Sequence, residues 1–577
     1  MERLFFREYC AIILKNATAV SFENREWRYP MKRNFCFFHP YHPETWQAMI
    51  DCGLVKDGDG VKFSQNLLLK DGYKFNHLAA KGTELYNYLY EKKAPFYIDR
   101  LQGGCYIEEY PYDMTLIDEY REMLGERFMG WQMHEWLSNY KSDLRKMSGF
   151  DGDFGSAEEI KKYIFKKYPY PCLFLEAMSA EEMAERGNPA NVEQFRSNML
   201  DIYKKRRRTH GELIPCDSIY LAYEFELQSG ARIVMPEVGA QSADARMQIA
   251  YDRGEAKAYG RSFGVYYEPW GGEPFSACCY HKQGKNEWGV GESSDFPFET
   301  KGPNGGSSRS LQWRVFLYGY MSGASMMAEE WGLCNTFEDW KTFKLSEYGK
   351  VKLDFLNFTR KYTDIGDMLT PAAVVLPEAL DVLDNIREPR LHCGYEITDE
   401  VNALKMEYIK NTVKEIFATP TERVGNECRT LINSNMPDAV DMLNAGDEKN
   451  AVINSYRYLI DLTGDAEFAA RHPNCVKITD LEKLLRDALP CTVDGLHWMV
   501  NERIGGGYYL TVFNNVGIER TVERGEIKLP QGSRSAKVVF KNGARPELLE
   551  SDGSLAFADD GYTLTLPAGG YAFIRFA

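Results

Sequence analysis

The chain has 577 residues, which is long enough for several domains. Its residues are 44% hydrophobic and 27% charged, which is the composition of a globular protein. Its formal net charge of −15 argues against a nucleic-acid partner, because a nucleic-acid-binding surface needs a basic stripe. No stretch approaches the roughly 18 consecutive apolar residues of a membrane-spanning helix, so we expect no membrane partner.

The thirteen cysteines form no CxxC motif. Cys36, Cys172 and Cys216 fall within apolar runs, where a reduced thiol serves as a small core residue. The N-terminal segment MERLFFREYCAIILKN carries acidic residues early and only a short apolar patch, which is not the pattern of a secretory signal. The sequence therefore predicts a cytoplasmic protein without a disulfide framework.

The first 30 residues predict a short hairpin or collar, and short apolar runs then alternate with helical patterns as far as about residue 370. Strand candidates lie at residues 34–40, 74–80, 95–100, 128–135, 213–217, 232–239, 263–269 and 324–331. Helical patterns lie at residues 191–208, 217–230, 243–260 and 311–323. This order predicts a (β/α)8 TIM barrel over residues 1–370, with insertions at 141–190 and 271–308.

The pattern changes after residue 370. Residues 371–490 begin with an apolar strand and continue with helical patterns at 404–417, 436–444 and 480–489, which predicts a small α/β domain of the Rossmann or flavodoxin-like type. Residues 491–577 alternate apolar and polar side chains between closely spaced turns, which is typical of a C-terminal antiparallel β-sandwich.

The active site of a (β/α)8 barrel lies at the C-terminal ends of its strands. Polar residues lie in or just after the predicted strands, namely His39, His77, Asp99, Arg100, Glu135, Asp217, Glu237, Glu268 and Glu330. Aromatic residues accompany them, among them Trp131, Trp136, Tyr267, Trp270 and Trp331. Carboxylates accept hydrogen bonds from sugar hydroxyls, and flat rings cover the C–H faces of a pyranose. The pattern therefore predicts a carbohydrate substrate, contacted by these residues and by His134.

Cleavage of a glycosidic bond needs one carboxylic acid that protonates the leaving oxygen and a second carboxylate that attacks the anomeric carbon or activates water. Glu135 and Glu268 end predicted strands on opposite sides of the barrel mouth, so they are the favoured pair. A separation of about 5–5.5 Å between them would give retention of configuration. Glu237, in VMPEVG, is the alternative nucleophile.

These features resemble a known group of enzymes. A barrel with glutamates at the ends of strands four and seven and a tryptophan at strand eight resembles the clan A glycoside hydrolases. The order of barrel, α/β domain and β-sandwich is similar to that of the family 42 β-galactosidases. The resemblance implies that Glu135 is the acid/base, Glu268 the nucleophile and Trp331 a platform for the sugar. It also implies a homo-oligomer, dimer or trimer, formed through the middle domain.

Clan A enzymes normally have asparagine before the acid/base, whereas this chain has His134, which can hold a sugar 2-hydroxyl or tune Glu135. The histidines of HPYH (39–42), His77 and His134 also raise the question of a metal. Pro40 disfavours a helix there and no HExxH motif is present, so we expect hydrogen-bonding histidines, no metal and no cofactor. The main alternative is a non-catalytic carbohydrate-binding barrel, and a metal-dependent barrel enzyme is a third possibility.

Overall fold

The computed structural model describes residues 35–64, 75–99, 112–138, 140, 189–219, 221–239, 245–268, 308–330, 336–378, 380, 388, 390–417, 431–515, 518–521, 525–528 and 532–577. The predicted N-terminal collar lies outside the described residues, as do all but the last positions of the two predicted insertions. Residues Lys32–Ala577 belong to one compact unit.

Eight parallel strands close into a barrel in which each strand pairs with its neighbours in chain order. The strands are β1 Cys36–Pro40, β2 Gly60–Ser64, β3 Phe96–Asp99, β4 Phe128–His134, β5 Leu213–Asp217, β6 Ile233–Gly239, β7 Ser262–Glu268 and β8 Met326–Glu329. The closure lies between β1 and β8, where Phe37 is paired with Met327 in parallel register. The predicted TIM barrel is confirmed, and seven of its strands lie where the sequence predicted them.

The predicted position of the second barrel strand was wrong. The sequence predicted it at residues 74–80, but the structure has it at Gly60–Ser64, and Phe75–Leu78 form a short helix. The strand escaped notice because Lys62 interrupts its short apolar alternation, whereas the aromatic and aliphatic residues of 74–80 resemble a strand. His77 is exposed on that helix and does not end a barrel strand, so the prediction that it lies in strand two was wrong.

Helices cover the outside of the barrel. They are α1 Trp46–Asp51, α2 Phe75–Leu78, α3 Glu84–Lys92, α4 Met114–Leu124, α5 Val192–His210, α6 Glu224–Gln228, α7 Ala245–Ala258, α8 Ser308–Met321 and α9 Glu347–Lys361. Several begin at a capping side chain, as at Asp113, whose carboxylate accepts hydrogen bonds from the backbone N–H groups of Thr115 and Leu116. The helix predicted over 217–230 is shorter than expected, because Asp217 still belongs to β5 and Tyr223 has a left-handed φ of 89°.

Alternate residues of the barrel strands face opposite sides. One set fills the interior as a buried cluster of Phe38, Tyr97, Ile214, Cys216, Ile233, Met235, Tyr266, Met326 and Ala328. The other set, which includes Phe37, Val61, Trp131 and Val265, packs under the helices in a larger cluster. This alternation decides which strand-end residues can reach the barrel mouth.

Residues 371–490 contain a parallel sheet of order β13–β10–β14. The elements here are β10 Ala372–Leu376, β11 Leu391–His392, β12 Tyr395–Glu396, α10 Glu400–Phe417, β13 Val440–Asn444, α11 Asn450–Ile453, β14 Tyr458–Asp461, α12 Phe468–Arg471 and α13 Ile478–Ala488. The helix predicted at 436–444 was wrong, since β13 lies there. Its five residues are all buried, and periodicity cannot separate so short a buried strand from a helix.

The C-terminal part consists of antiparallel sheets of order β15–β20–β23–β22 and β21–β24–β17–β16–β9, with a separate hairpin β18–β19. The strands are β9 Ile365–Met368, β15 Cys491–Val493, β16 His497–Arg503, β17 Tyr508–Phe513, β18 Ile518–Thr521, β19 Gly525–Lys528, β20 Arg534–Phe540, β21 Glu547–Ser551, β22 Ser554–Ala558, β23 Gly561–Leu566 and β24 Tyr571–Phe576. Strand β9 comes from the segment that follows α9, and it pairs with β16.

Barrel helix α7 is buried over residues 245–256 because the α/β part covers its outer side. Arg246 donates a hydrogen bond of 3.0 Å to Asp438, and Arg253 pairs with Asp441. Lys449 forms buried ion pairs of 2.9 Å with Glu255 and 3.0 Å with Glu224. These contacts join the barrel to the following sheet. Among the described helices, none has the length and apolar character needed to cross a membrane.

Candidate active site

The imidazole of His134 stands at the C-terminal end of β4, and its side chain is 4% exposed. Its Nε2 atom lies 3.3 Å from Oε1 of Glu330, 3.7 Å from Oε1 of Glu237 and 3.8 Å from Oε2 of Glu135. Glu330 follows β8, Glu237 lies two residues before the end of β6, and Glu135 follows β4. The fold therefore brings three of the predicted carboxylates around one histidine at the barrel mouth.

Glu135 differs from the other two acids in its exposure and its backbone. Its side chain is 32% exposed, whereas those of Glu237 and Glu330 are buried. Its φ of 47° is in the left-handed region, which costs a residue other than glycine about 1–3 kcal/mol. Its backbone N–H donates a 2.6 Å hydrogen bond to the carbonyl of Cys216 on β5. This geometry turns the chain away from β4 and leaves the Glu135 carboxylate accessible to solvent.

Asp217 holds the turn that follows Glu135. Its carboxylate accepts hydrogen bonds of 2.9 and 3.1 Å from the N–H groups of Leu137 and Ser138, and another from the Ser138 hydroxyl. Burial raises the pKa of Asp217 to about 6, against the opposing effect of the Ser138 hydrogen bonds. Since Cys216 belongs to the interior row, Asp217 belongs to the outer row. Asp217 therefore lies in the outer layer beside this turn, and its predicted substrate contact stays a prediction.

Lys62 is a site residue that the sequence analysis missed, because the strand that carries it was missed. It is buried in the barrel, where Nζ donates hydrogen bonds of 2.9 Å to the Tyr266 hydroxyl and 2.6 Å to the carbonyl of Glu329. Nζ also lies 3.4 Å from Oδ2 of Asp99, a predicted substrate contact on β3. The Tyr266 ring lies 5.5 Å from the His134 ring, so this group adjoins the carboxylate cluster. A lone lysine in the apolar alternation GVKF is the signal that identifies it.

Two predicted aromatic contacts lie in the layer between barrel and helices. Trp131 donates a 3.1 Å hydrogen bond from Nε1 to the carbonyl of His210 at the end of α5. Tyr267 packs edge-on against Phe316 of α8, with ring centroids 5.1 Å apart. Both belong to the outward rows of their strands, so the structure does not bring them to the mouth as predicted.

His39 and Trp136 also lie away from the cluster. His39 is buried in the outer layer near Asp59, with Nε2 and Oδ2 3.6 Å apart, and burial lowers its pKa. Trp136 is fully buried and donates a 3.3 Å hydrogen bond from Nε1 to Glu226 of α6. Both side chains therefore lie in the layer outside the barrel and not at the mouth where the sequence placed them.

Other predictions fall on residues that the structure does not describe. Arg100, Trp270 and Trp331 lie outside the described residues. The backbone of Glu268 is described as the last residue of β7, paired with Gly239, but its side chain is not. The favoured pair of Glu135 and Glu268 therefore stays a prediction.

One group of potential metal ligands lies at this site. Among the described residues, the ligand atoms of His134, Cys216 and Glu237 all lie within 4.8 Å of one another, and all three residues are buried. They come from the neighbouring strands β4, β5 and β6. Imidazole, thiolate and carboxylate together form a set that suits zinc and related ions.

Comparison with known proteins gives only distant structural similarity. No family model and no curated protein matches the chain. A polyextremophilic β-galactosidase from the Antarctic haloarchaeon Halorubrum lacusprofundi matches at 12% identity over 94% of this chain and 99% of its own, with a TM-score of 0.38. GH5_18 from Streptomyces cattleya, in complex with GlcNAc, matches at 12% identity over 75% and 99%, with a TM-score of 0.34. α-L-Fucosidase isoenzyme 2 from Paenibacillus thiaminolyticus matches at 10% identity over 96% and 98%, with a TM-score of 0.38. TM-scores this low carry no argument about activity. The assignment of the barrel fold is based on the strand pairing alone.

Proposed function

We propose that the protein is a glycoside hydrolase that acts on an oligosaccharide or a small glycoside. The observation that carries this proposal is the meeting of Glu135, Glu237 and Glu330 around His134 at the mouth of a closed barrel. Glu135 is partly exposed, and the other two carboxylates are buried. Glycosidases need two carboxyl groups with different tasks, and different environments are what separate such tasks.

Glu135 is proposed as the acid/base. Its side chain reaches solvent, so the water that attacks in the second half of a retaining reaction can approach it. Its strained backbone is of the kind that surrounding structure maintains at functional sites. Asp217 and the Ser138 turn fix the segment that carries it. In the proposed reaction Glu135 first protonates the leaving oxygen and then removes a proton from the attacking water.

The second carboxylate is Glu268 or Glu237. Glu135 Oε2 and Glu237 Oε1 lie 3.8 and 3.7 Å from the same nitrogen, so their separation cannot exceed the sum of these distances. That limit is compatible with the about 5–5.5 Å of retaining pairs and with the shorter part of the inverting range. Glu268 remains the favoured nucleophile through the resemblance of its strand to strand seven of clan A enzymes, and we propose retention of configuration.

The remaining polar side chains suit a neutral, hydroxyl-rich ligand. Glu330 and Asp99 are carboxylates that accept hydrogen bonds from hydroxyl groups, and His134 stands where clan A enzymes have an asparagine near the sugar 2-hydroxyl. The resemblance in domain order makes β-galactosides the first substrate class to test.

The test is a panel of nitrophenyl α- and β-glycosides with wild-type protein and the Glu135→Gln variant. We expect turnover of at least one substrate by the wild type and a loss of about 10²–10⁴-fold in the variant, which is the usual contribution of general acid–base catalysis. The loss should be larger for glycosides with poor leaving groups, because these depend most on protonation. Glu122→Gln, on the exposed side of α4, is the matched control and should retain full activity. Full activity in Glu135→Gln would contradict the assignment.

A non-catalytic carbohydrate-binding protein is the alternative outcome of the same experiment. It would give no chromophore across the α- and β-linked panels, together with a calorimetric signal for a sugar that Glu330→Gln weakens. That combination would replace the proposed hydrolase by a binding protein.

A further inference from the structure

Three side chains capable of binding a metal converge inside the barrel mouth from neighbouring strands. His134 on β4 is directly paired with Cys216 on β5, and Cys216 is paired with Met235 on β6, two residues before Glu237. His134, Cys216 and Glu237 follow the interior alternation of their strands, so the fold itself directs them to one place. Their ligand atoms lie within 4.8 Å of one another.

The distances from His134 Nε2 to the surrounding carboxylate oxygens are typical of two ligands of one metal ion and are longer than hydrogen bonds. Nε2 is buried and makes no hydrogen bond to any described residue. Carboxylate oxygens lie 3.3, 3.7 and 3.8 Å from it, beyond the about 2.7–3.2 Å of an N–H···O bond. Metal–ligand bonds of about 2.0–2.3 Å in a tetrahedron place the ligand atoms about 3.3–3.8 Å apart. The 3.7 Å between His134 Nε2 and Glu237 Oε1 falls in this range, as does the 3.3 Å to Glu330 Oε1.

Charge also favours a cation here. Glu237 and Glu330 are both buried beside His134, so a cation bound there would lie next to two carboxylates. Cys216 contributes a buried thiol at the same place. On binding a divalent cation, the thiol loses its proton to solvent as the metal–sulfur bond forms, so the cation replaces that proton.

Gln132 can serve as the outer partner of the histidine. Its side-chain nitrogen is placed 3.4 Å from Nδ1 of His134, and its carbonyl oxygen has no partner among the described residues. Turning the amide over lets that oxygen accept a hydrogen bond from Nδ1–H, which leaves the lone pair on Nε2. Metal-binding histidines are commonly held by such a partner.

We propose that His134, Cys216 and Glu237 bind one divalent transition-metal ion of the zinc type. Three protein ligands leave a further position for water, a substrate hydroxyl or the carboxylate of Glu330. This inference goes beyond the proposed hydrolase, because it does not depend on any glycosidic reaction. If Glu237 binds a metal, then Glu268 is the remaining candidate for the nucleophile.

The experiment is a cobalt titration of full-length protein that has been dialysed against a chelator. We expect about one equivalent of Co²⁺ to bind with a near-ultraviolet thiolate-to-cobalt charge-transfer band, and Zn²⁺ to displace it. Cys216→Ser should lose the band. Cys36→Ser, which removes a partly buried cysteine beside the same interior cluster, is the matched control and should keep it. Glu237→Gln should weaken Co²⁺ binding at least tenfold.

The wild type alone can overturn the inference. Folded, chelator-treated wild-type protein that shows no charge-transfer band would exclude the site whether or not the variants fold. A band that survives in folded Cys216→Ser would place the metal elsewhere and would also exclude it. Circular dichroism of each variant identifies misfolding. Hydrolysis of nitrophenyl glycosides is measured on the same samples, so metal binding without hydrolysis separates this inference from the proposed function.

Discussion

Gly254 of barrel helix α7 lies directly against the backbone of Met442 in strand β13. A Cβ atom at position 254 would come within 2.2 Å of the Met442 carbonyl oxygen, which no side-chain movement can relieve. Helix α7 and β13 are thus in contact through their main chains, and the buried ion pairs of Arg246 and Arg253 flank this contact. The barrel and the α/β part therefore share one tightly packed boundary.

We expect Gly254→Ala to lower the free energy of unfolding by about 1–3 kcal/mol, the usual cost of overpacking a core. Chemical denaturation measures it. Gly319→Ala in α8 is the control, because its Cβ would meet the side chain of Val265 at 3.0 Å, and a side chain can shift. Equal stability of Gly254→Ala and the wild type would show that the α7–β13 contact is looser than described.

The second prediction concerns the buried pair of His497 and Asp438, whose Nε2 and Oδ2 atoms lie 2.9 Å apart. Burial, reinforced by Arg246, lowers the pKa of His497 to about 4, while Arg246 and the histidine hold the pKa of Asp438 well below its usual range. The unfolded chain therefore takes up a proton on His497 at a higher pH than the folded protein does. Stability from this group is complete above about pH 6.5 and is lost as the pH falls towards 4.

The lowered pKa of His497 corresponds to a loss of about 3 kcal/mol of unfolding free energy at pH 4 relative to pH 7. We expect His497→Gln to be less stable than the wild type at pH 7, with a smaller loss of stability between pH 7 and pH 4. His77→Gln is the control, because His77 is exposed on α2. Parallel pH profiles of unfolding free energy for the wild type and His497→Gln would contradict the assignment.

Asp217 gives the opposite pH dependence. Burial raises its pKa to about 6, so the folded protein binds a proton there at a pH at which the unfolded chain has lost it. Its contribution to stability therefore falls as the pH rises from about 4 to about 6, by about 3 kcal/mol. We expect the unfolding free energy of Asp217→Asn to lack this decline. The difference in unfolding free energy between variant and wild type should therefore change between about pH 4 and about pH 6. The activity of the variant should also fall, because the Ser138 turn then loses a hydrogen-bond acceptor. If the variant and the wild type had the same dependence of unfolding free energy on pH, the raised pKa would be excluded.

Azide rescue of alanine variants distinguishes the two candidate nucleophiles, Glu268 and Glu237. With Glu268→Ala, azide should restore turnover of an activated glycoside and give a glycosyl azide of inverted configuration, because azide occupies the place of the lost carboxylate. We expect no glycosyl azide from Glu237→Ala, which should instead lose metal binding. Nuclear magnetic resonance of the product determines the configuration, and an inverted azide from Glu237→Ala would make Glu237 the nucleophile and remove it from the metal site.

The sequence located most barrel strands because each is a short apolar run between turn residues or helical patterns. It missed β2, where Lys62 breaks the run, and it predicted a helix at β13, whose buried residues carry no periodicity. A charged residue is tolerated inside the barrel because the Tyr266 hydroxyl and the Glu329 carbonyl accept its hydrogen bonds and Asp99 forms an ion pair with it. These partners come from β7, β8 and β3. Such partners cannot be seen from one segment.

The sequence by itself determined that Glu135, Glu237 and Glu330 stand at or just after strand ends. Only the tertiary structure decided that these three meet at His134 while Trp131, Tyr267, Asp217 and His39 lie among the helices. The physical reason is the alternation of side chains along a strand combined with closure of the barrel. A shift of one residue moves a side chain from the interior to the outer layer, and closure brings residues from distant segments to one atom.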